Sequence, residues 1–407
     1  MVTLCPNCSA PVVFDPKTQK VICHSCSGSW DPQEFDLQKE SVDLEETNAD
    51  VSDIDDEDVA AHFLDAYVYH CPSCGGEINV NGTESSTKCI YCGNPSIVFN
   101  RIEKEKAPEY IIPFTVTREE AIEKIRQSLK GRLLVPKVIK NLNPDMVRGI
   151  YVPYWLVNGR HLEGAVVRSY IPDRSSDGST KPYYWGRAGM MQLRNLPVDG
   201  SKILSDDSSQ QLEPYDLSAI QPFAESYLLG FYSNASDITY KDLTDAAEMR
   251  AVGAFHDQAA ASVSGANPQV VCWEYETVID ENIYYAMFPV WFVSYDYDGQ
   301  HNIIMVNGQT GKVVGAIPWK KKKLTWVTAI LTALFSIPLT MTMYYFIELT
   351  HQEGEPDAMA NLGLVFFPLL LGFVTIAMAS GKKKLVDIHL KMSQASSIFH
   401  FAKKRQE

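Results

Sequence analysis

Cys5-Pro6-Asn7-Cys8 is followed, after fourteen residues, by Cys23-His24-Ser25-Cys26, and Cys71-Pro72-Ser73-Cys74 is followed by Cys89-Ile90-Tyr91-Cys92 after the same gap. A Cys-x-x-Cys turn presents two sulfurs from one tight knuckle. Two knuckles on adjacent hairpins supply the four thiolates that a tetrahedral zinc ion takes. Eight of the nine cysteines lie in these pairs. A redox pair would need only one such motif, on a thioredoxin-like β/α unit that the flanking sequence does not offer. We therefore expect two zinc ribbons, with Cys5, Cys8, Cys23 and Cys26 as the ligands of one and Cys71, Cys74, Cys89 and Cys92 as those of the other. Four cysteines leave no open coordination position, so both zinc ions are expected to be structural. Gly75 and Gly93 ease the φ > 0 turn after the second sulfur, whereas the first ribbon has Ser9 and Ser27 there and is expected to bind less tightly. His24 is expected to be exposed rather than to replace a cysteine.

Working outward, the repeats are separated by a run from Glu40 to Asp58 with ten acidic residues and no Lys or Arg. This run accounts for most of the net charge of -14 and reads as a self-repelling linker. A short apolar helix is expected around Val59 to Tyr67. Zinc ribbons often touch nucleic acid, but neither ribbon offers the Lys/Arg cluster that phosphate neutralisation needs. Phe14, Trp30 and Tyr91 are expected to cover the small ribbon cores. Residues Met1 to Asn7 lack the charged and apolar regions of a cleavable signal peptide, which favours reduced thiols and metal over disulfides.

From residue 101 to 318 the composition is that of an ordinary folded domain. Thr117-Arg118-Glu119-Glu120 is a capping-box pattern, and Ala121, Ile122, Ile125 and Leu129 fall on one helical face before Gly131. Strands are expected over Gly164 to Ile171, Val270 to Ile279 and Tyr284 to Tyr297, with Cys272 in the core. Asp298-Gly299 then turns the chain into His301 to Val306, and Asn307 to Gly311 turns it into Lys312 to Ile317. Asp296 and Asp298 are read as turn residues. Tyr151-Val152-Pro153-Tyr154-Trp155 and Met287-Phe288-Pro289-Val290-Trp291 look alike and suggest a duplicated unit. No phosphate-binding loop, dinucleotide fingerprint, metalloprotease helix or nucleophile elbow is present in the sequence.

Lys320 to Lys323 precede Leu324 to Ile347, a run without charge, and a second uncharged run, Met359 to Ser380, ends at Lys382 to Lys384. Each run is long enough to cross a hydrocarbon core of ~30 Å. The lysines at one end of such a hairpin place both chain ends in the cytoplasm. The expectation is a plasma-membrane protein with two crossing helices and a basic tail that either meets membrane lipid or packs as a helix on the folded domain.

The chain resembles a family of Gram-positive bacterial proteins called TFIIB-type zinc-ribbon-containing membrane proteins. The resemblance rests on Cys5 to Cys8 with Phe14 to Lys20, on Cys89 to Pro95, and on Ile112-Pro113-Phe114, Val152 to Trp155, Pro289-Val290-Trp291 and Asn307 to Gly315. It implies no established enzymatic activity. It implies a membrane-bound adaptor whose protein partner is of the flotillin-like (SPFH) or phage-shock type, in envelope stress.

Together these readings give a multidomain chain. Residues 1–36 are zinc ribbon 1, 37–66 an acidic linker with a short helix, and 67–100 zinc ribbon 2. Residues 101–318 are a central α+β domain rich in antiparallel strands, 319–381 a C-terminal two-helix transmembrane hairpin, and 382–407 the basic tail. The expected function is that of a non-enzymatic, membrane-anchored adaptor, and the alternative is a membrane-tethered nucleic-acid-binding regulator.

Overall fold

The computed structural model describes residues 3–37, 63–72, 76–80, 89, 98–129, 144–172, 180–201, 206–297 and 300–315, with seven positions between 330 and 348. It is mostly β. Strands β1 (Val13–Asp15), β2 (Lys20–Ile22) and β3 (Ser29–Trp30) form a small antiparallel sheet around the first cysteines. At the β1–β2 turn the Asp15 carboxylate accepts from the Lys17 and Thr18 amides and from the Thr18 hydroxyl.

Strand β4 (Phe63–His70) pairs with both β5 (Glu77–Val80) and β6 (Val98–Lys106). Where residues 63–67 were expected to be helical they are strand instead. The run Phe63 to His70 is rich in aromatic residues, which suit a pleated surface, and the nine residues of β6 supply its pairing. Next come β7 (Tyr110–Ile111), α1 (Arg118–Leu129), β8 (Val147–Pro172) and β9 (Thr180–Asp199). Helix α2 (Asp206–Leu212), β10 (Gln221–Pro222), β11 (Tyr232–Ser233) and α3 (Tyr240–Ala261) follow. The described chain then runs through β12 (Ala266–Ile279), β13 (Tyr284–Tyr297), β14 (Gln300–Asn307) and β15 (Val313–Gly315). Strands β4 to β15 belong to one twelve-stranded sheet, so the second ribbon is joined to the body and is not a separate bead.

The sheet grows from β8, which is 26 residues long. Its first half pairs with β13, and its second half runs on as the middle strand of an arm between β9 and β12. The two look-alike segments lie side by side here, with Tyr151 opposite Pro289, Val152 opposite Phe288 and Pro153 opposite Met287. The likeness extends well beyond them. Strand β11 runs parallel to β8 with Tyr232 opposite Ile150, and β7 runs parallel to β13 with Tyr110 opposite Ala286. Six residues after each short strand a capping box starts a helix, Thr117 with Glu120 for α1 and Thr239 with Asp242 for α3. After each long hairpin a glycine N–H donates to a proline carbonyl, Gly200 to Pro153 at 2.9 Å and Gly308 to Pro289 at 2.8 Å. A Cβ at Gly308 would lie 2.7 Å from the Pro289 Cβ, so the approach requires glycine. Asp237 N–H then donates to the Gly200 carbonyl and Thr115 N–H to the Gly308 carbonyl, both at 3.0 Å. The body is thus an internal duplication of a strand–helix–hairpin unit whose two copies exchange their short strands.

Alternation along β8 and β13 makes two cores. Tyr151, Met287, Trp291 and Val293 face one side, where Phe114 and Phe231 stack at 4.3 Å. Ile150, Val152, Tyr154 and Phe288 face the other, with Tyr154 and Phe288 stacked at 4.4 Å. Burying each such side chain contributes about 1.5–3 kcal/mol.

The membrane expectation is corrected. No helix among the described residues is long and apolar enough to cross a membrane, so the expected transmembrane hairpin and the multi-pass plasma-membrane location that rested on it do not stand. The run from Met359 and the basic tail lie outside the described residues. Within Leu324 to Ile347, Ile330, Leu334, Met341, Tyr344 and Tyr345 are helical and exposed, without forming one continuous described helix. Freedom from charge over about two dozen residues gives the length of a crossing, and length alone does not make a continuous crossing helix; the other positions of the run lie outside the described residues.

Candidate metal centre

Two near-identical turns build the centre. Cys5 N–H donates to the Ala10 carbonyl and Ser9 N–H to the Cys5 carbonyl, both at 2.8 Å. Cys23 N–H donates to the Gly28 carbonyl and Ser27 N–H to the Cys23 carbonyl, both at 2.9 Å. Ser9 and Ser27 adopt φ of 53° and 60°, so both knuckles reach the left-handed conformation without glycine. The four Sγ atoms of Cys5, Cys8, Cys23 and Cys26 all lie within 4.8 Å of one another. Cys5 and Cys26 are 3.5 Å apart, as are Cys8 and Cys23, and all four cysteines are free of disulfides. A tetrahedral metal with ~2.3 Å bonds to sulfur requires sulfurs ~3.8 Å apart, and this cluster meets that spacing. The four thiols can therefore hold a metal ion. Cys5 and Cys23 are buried, Cys8 and Cys26 are exposed, and His24 is exposed as expected.

Electrostatics favour a cation. The Cys26 N–H brings the Cys23 thiol down to about 7 against the cost of burial, helped by the Ser25 N–H and the thiols of Cys8 and Cys26. The Gly28 N–H pulls the Cys26 thiol down, but the sulfurs of Cys5, Cys8 and Cys23 push it up to about 12. The first proton leaves readily, and the last leaves only when a positive charge is supplied.

The centre is built into the first core. Cys5, Val12, Phe14, Val21, Cys23 and Phe35 all belong to it. Phe14 meets Tyr227 edge to face at 5.1 Å, and its N–H donates to the Leu229 carbonyl at 3.0 Å. Gln19 Nε2 donates to the Phe114 carbonyl at 2.7 Å. Asp36 accepts from the Ser226 N–H at 3.2 Å and also from its hydroxyl. Although an acidic run follows them in sequence, residues 3–37 are docked on the body by side chains and backbone alike.

In the second set, Cys71 and Cys89 are buried together in the opposite core. Cys71 N–H donates to the Gly76 carbonyl at 2.9 Å, the same five-residue turn as in the first knuckles. Cys74 and Cys92 lie outside the described residues. Cys272, expected in the core, is exposed on β12 between exposed Val271 and Trp273. Its strand is at the margin of the arm, where a long apolar run does not imply two covered faces.

Fold and thiolates together define a β-sheet protein with a four-cysteine cluster set into its core. The chain is similar to a protein of Bacillus subtilis (strain 168), the uncharacterized protein YdjG. The two are 28% identical over 343 residues, which cover 81% of this chain and 94% of that one. No protein-family model matches the chain, and no solved structure matches it significantly.

Proposed function

We propose that this chain is a non-enzymatic adaptor in which two structural zinc ions brace a β-sheet body that binds a protein partner. The observation that carries the reading is the closed thiolate cluster packed into the core. Four sulfurs leave a metal no position for substrate, so the metal shapes a surface rather than performing chemistry. The second zinc would sit on Cys71, Cys74, Cys89 and Cys92, supported by the burial of Cys71 and Cys89 and by the repeated turn. The arm supplies a binding surface. Leu162, Tyr184 and Met190 are 40%, 63% and 69% exposed, although each is large and apolar or aromatic, and the register of β8 with β9 puts them on the face of the arm turned away from α3. The family resemblance makes flotillin-like and phage-shock-type proteins the first partners to try.

The test has two arms. Elemental analysis of the purified full chain should find at least two zinc ions per chain, two of them lost on alkylating the cysteines, and a value below one ends the zinc reading. Crosslinking in cells should join the wild-type chain to one dominant protein partner, and Tyr184→Ala with Met190→Ala should lose it while keeping the zinc. If the chain instead retains labelled RNA or DNA at ~150 mM salt with steep salt dependence, a nucleic-acid regulator replaces the adaptor.

A further inference from the structure

Away from the cysteines, the arm and α3 enclose a line of hydrogen-bonded polar side chains. His161 and Glu163 are two residues apart on β8, on the face that α3 covers, and both side chains are fully buried. His161 Nε2 lies 2.8 Å from one Glu163 oxygen, and His256 Nε2 on α3 lies 2.7 Å from the other. His161 Nδ1 is 2.8 Å from the Thr277 hydroxyl on β12. Phe255, Tyr275 and Trp273 flank the two imidazoles. Gly189 on β9 sits beneath Phe255, where a Cβ would make ordinary contact with its ring at 3.5 Å.

We infer that His161, Glu163 and His256 form a second kind of metal site, two imidazoles and one carboxylate, for a divalent first-row transition-metal ion. Three physical points carry it. A carboxylate with no exposure to water needs a positive charge beside it, and each Glu163 oxygen meets an imidazole nitrogen rather than an Arg or Lys. The donor set, nitrogen and oxygen, is that of zinc, cobalt and iron(II) sites with room for a further ligand. Thr277 fixes the second nitrogen of His161, the outer contact that orients a ligating imidazole, and a hydroxyl can accept from Nδ1–H as readily as donate to Nδ1. His161 can therefore exchange its Nε2 proton for a metal without losing its support. The two Nε2 atoms sit on different carboxylate oxygens, so loading draws the His256 ring across. That ring is 22% exposed, which gives it room to move and gives the ion a way in.

The site is independent of the thiolate centre and is tested on the full chain. The protein is stripped of metal and loaded with cobalt(II), which reports thiolate ligands by intense sulfur-to-metal absorption and nitrogen–oxygen sites by weak bands alone. Metal is counted per chain by elemental analysis. Glu163→Gln keeps the size and hydrogen-bonding capacity of the side chain and removes its charge. It should lose one cobalt per chain with the thiolate absorption unchanged. Unchanged stoichiometry in Glu163→Gln overturns the site. His256→Asp gives a second reading. In a merely hydrogen-bonded cluster it sets two carboxylates against each other, and metal added beyond saturation of the cysteines leaves the unfolding midpoint where it was, which also overturns the site. If the inference holds, the new carboxylate serves as a ligand, and the added metal raises the midpoint of His256→Asp by several degrees but not that of the double variant with Glu163→Gln.

Discussion

At the residue scale the knuckle serines are the sharpest case. Ser9 and Ser27 hold φ near +50° to +60°, where a Cβ is strained by about 1–2 kcal/mol and glycine is not. Allowing for the extra freedom glycine brings to the unfolded chain, Ser9→Gly and Ser27→Gly should each stabilise the protein by about 0.5–1 kcal/mol. Thermal unfolding of the metal-loaded chain would show this as a higher midpoint. The thiols add a pH dependence. Binding a metal displaces the proton that Cys26 holds, so affinity weakens as pH falls and protons compete for sulfur. A chelator should extract the metal faster at pH 5.5 than at pH 8, and equal rates would contradict the arrangement. The cysteine spacing gave the four members of the first cluster directly from sequence. It could not give the burial of Cys5 and Cys23, because the core they join also holds Tyr227 to Leu229 and Phe231, far along the chain. Nor did His161 and Glu163 stand out, since two polar residues in alternation look like the wet face of a strand until a helix is placed over them.

Among the elements, α1 was fully legible. Its capping box forms, with Thr117 N–H donating to Glu120 at 2.9 Å, and the four residues on the expected face are buried. The matching helix α3 escaped notice because its buried stripe is largely alanine, with Ala247, Ala251 and Ala259 joined by Leu243 and Val252. Small side chains bring a helix close to a sheet but leave little hydrophobic period to read. Its cap uses Asp242 where Glu is the familiar partner. Thr239→Ala should cost about 1 kcal/mol, measured by denaturant unfolding, and Ala247→Leu should cost about 1–3 kcal/mol by overpacking. The β13–β14–β15 meander was legible from its turn residues, whereas the full length of β8 was not. Its first half has both faces buried and its second half only one, so no single pattern runs through it.

For the whole molecule, the acidic run separates the first cysteine cluster from Cys71 and Cys89 in sequence, yet they sit on opposite faces of the same β8–β13 pair. Stability should therefore be shared. Phe14→Ala, which empties a side chain only 3% exposed, should cost about 3–5 kcal/mol and lower the single cooperative transition of the described body instead of releasing the ribbon alone. A separate early transition for the ribbon would refute that coupling. The sequence could not show it, because charge in a connecting segment reports on the segment and not on where its ends are docked. The exchange of short strands between the duplicated halves bears on how the chain is made. Strand β7 leaves the ribosome long before β13, its parallel partner, and the first ribbon emerges before the Tyr227–Phe231 seat exists. At ~5–20 residues per second the early half waits several seconds or more for the late one. During synthesis its aromatic faces stay open to chaperones, and a premature stop between β11 and β13 leaves a nascent chain in which β8 has its parallel partner and β7 has none.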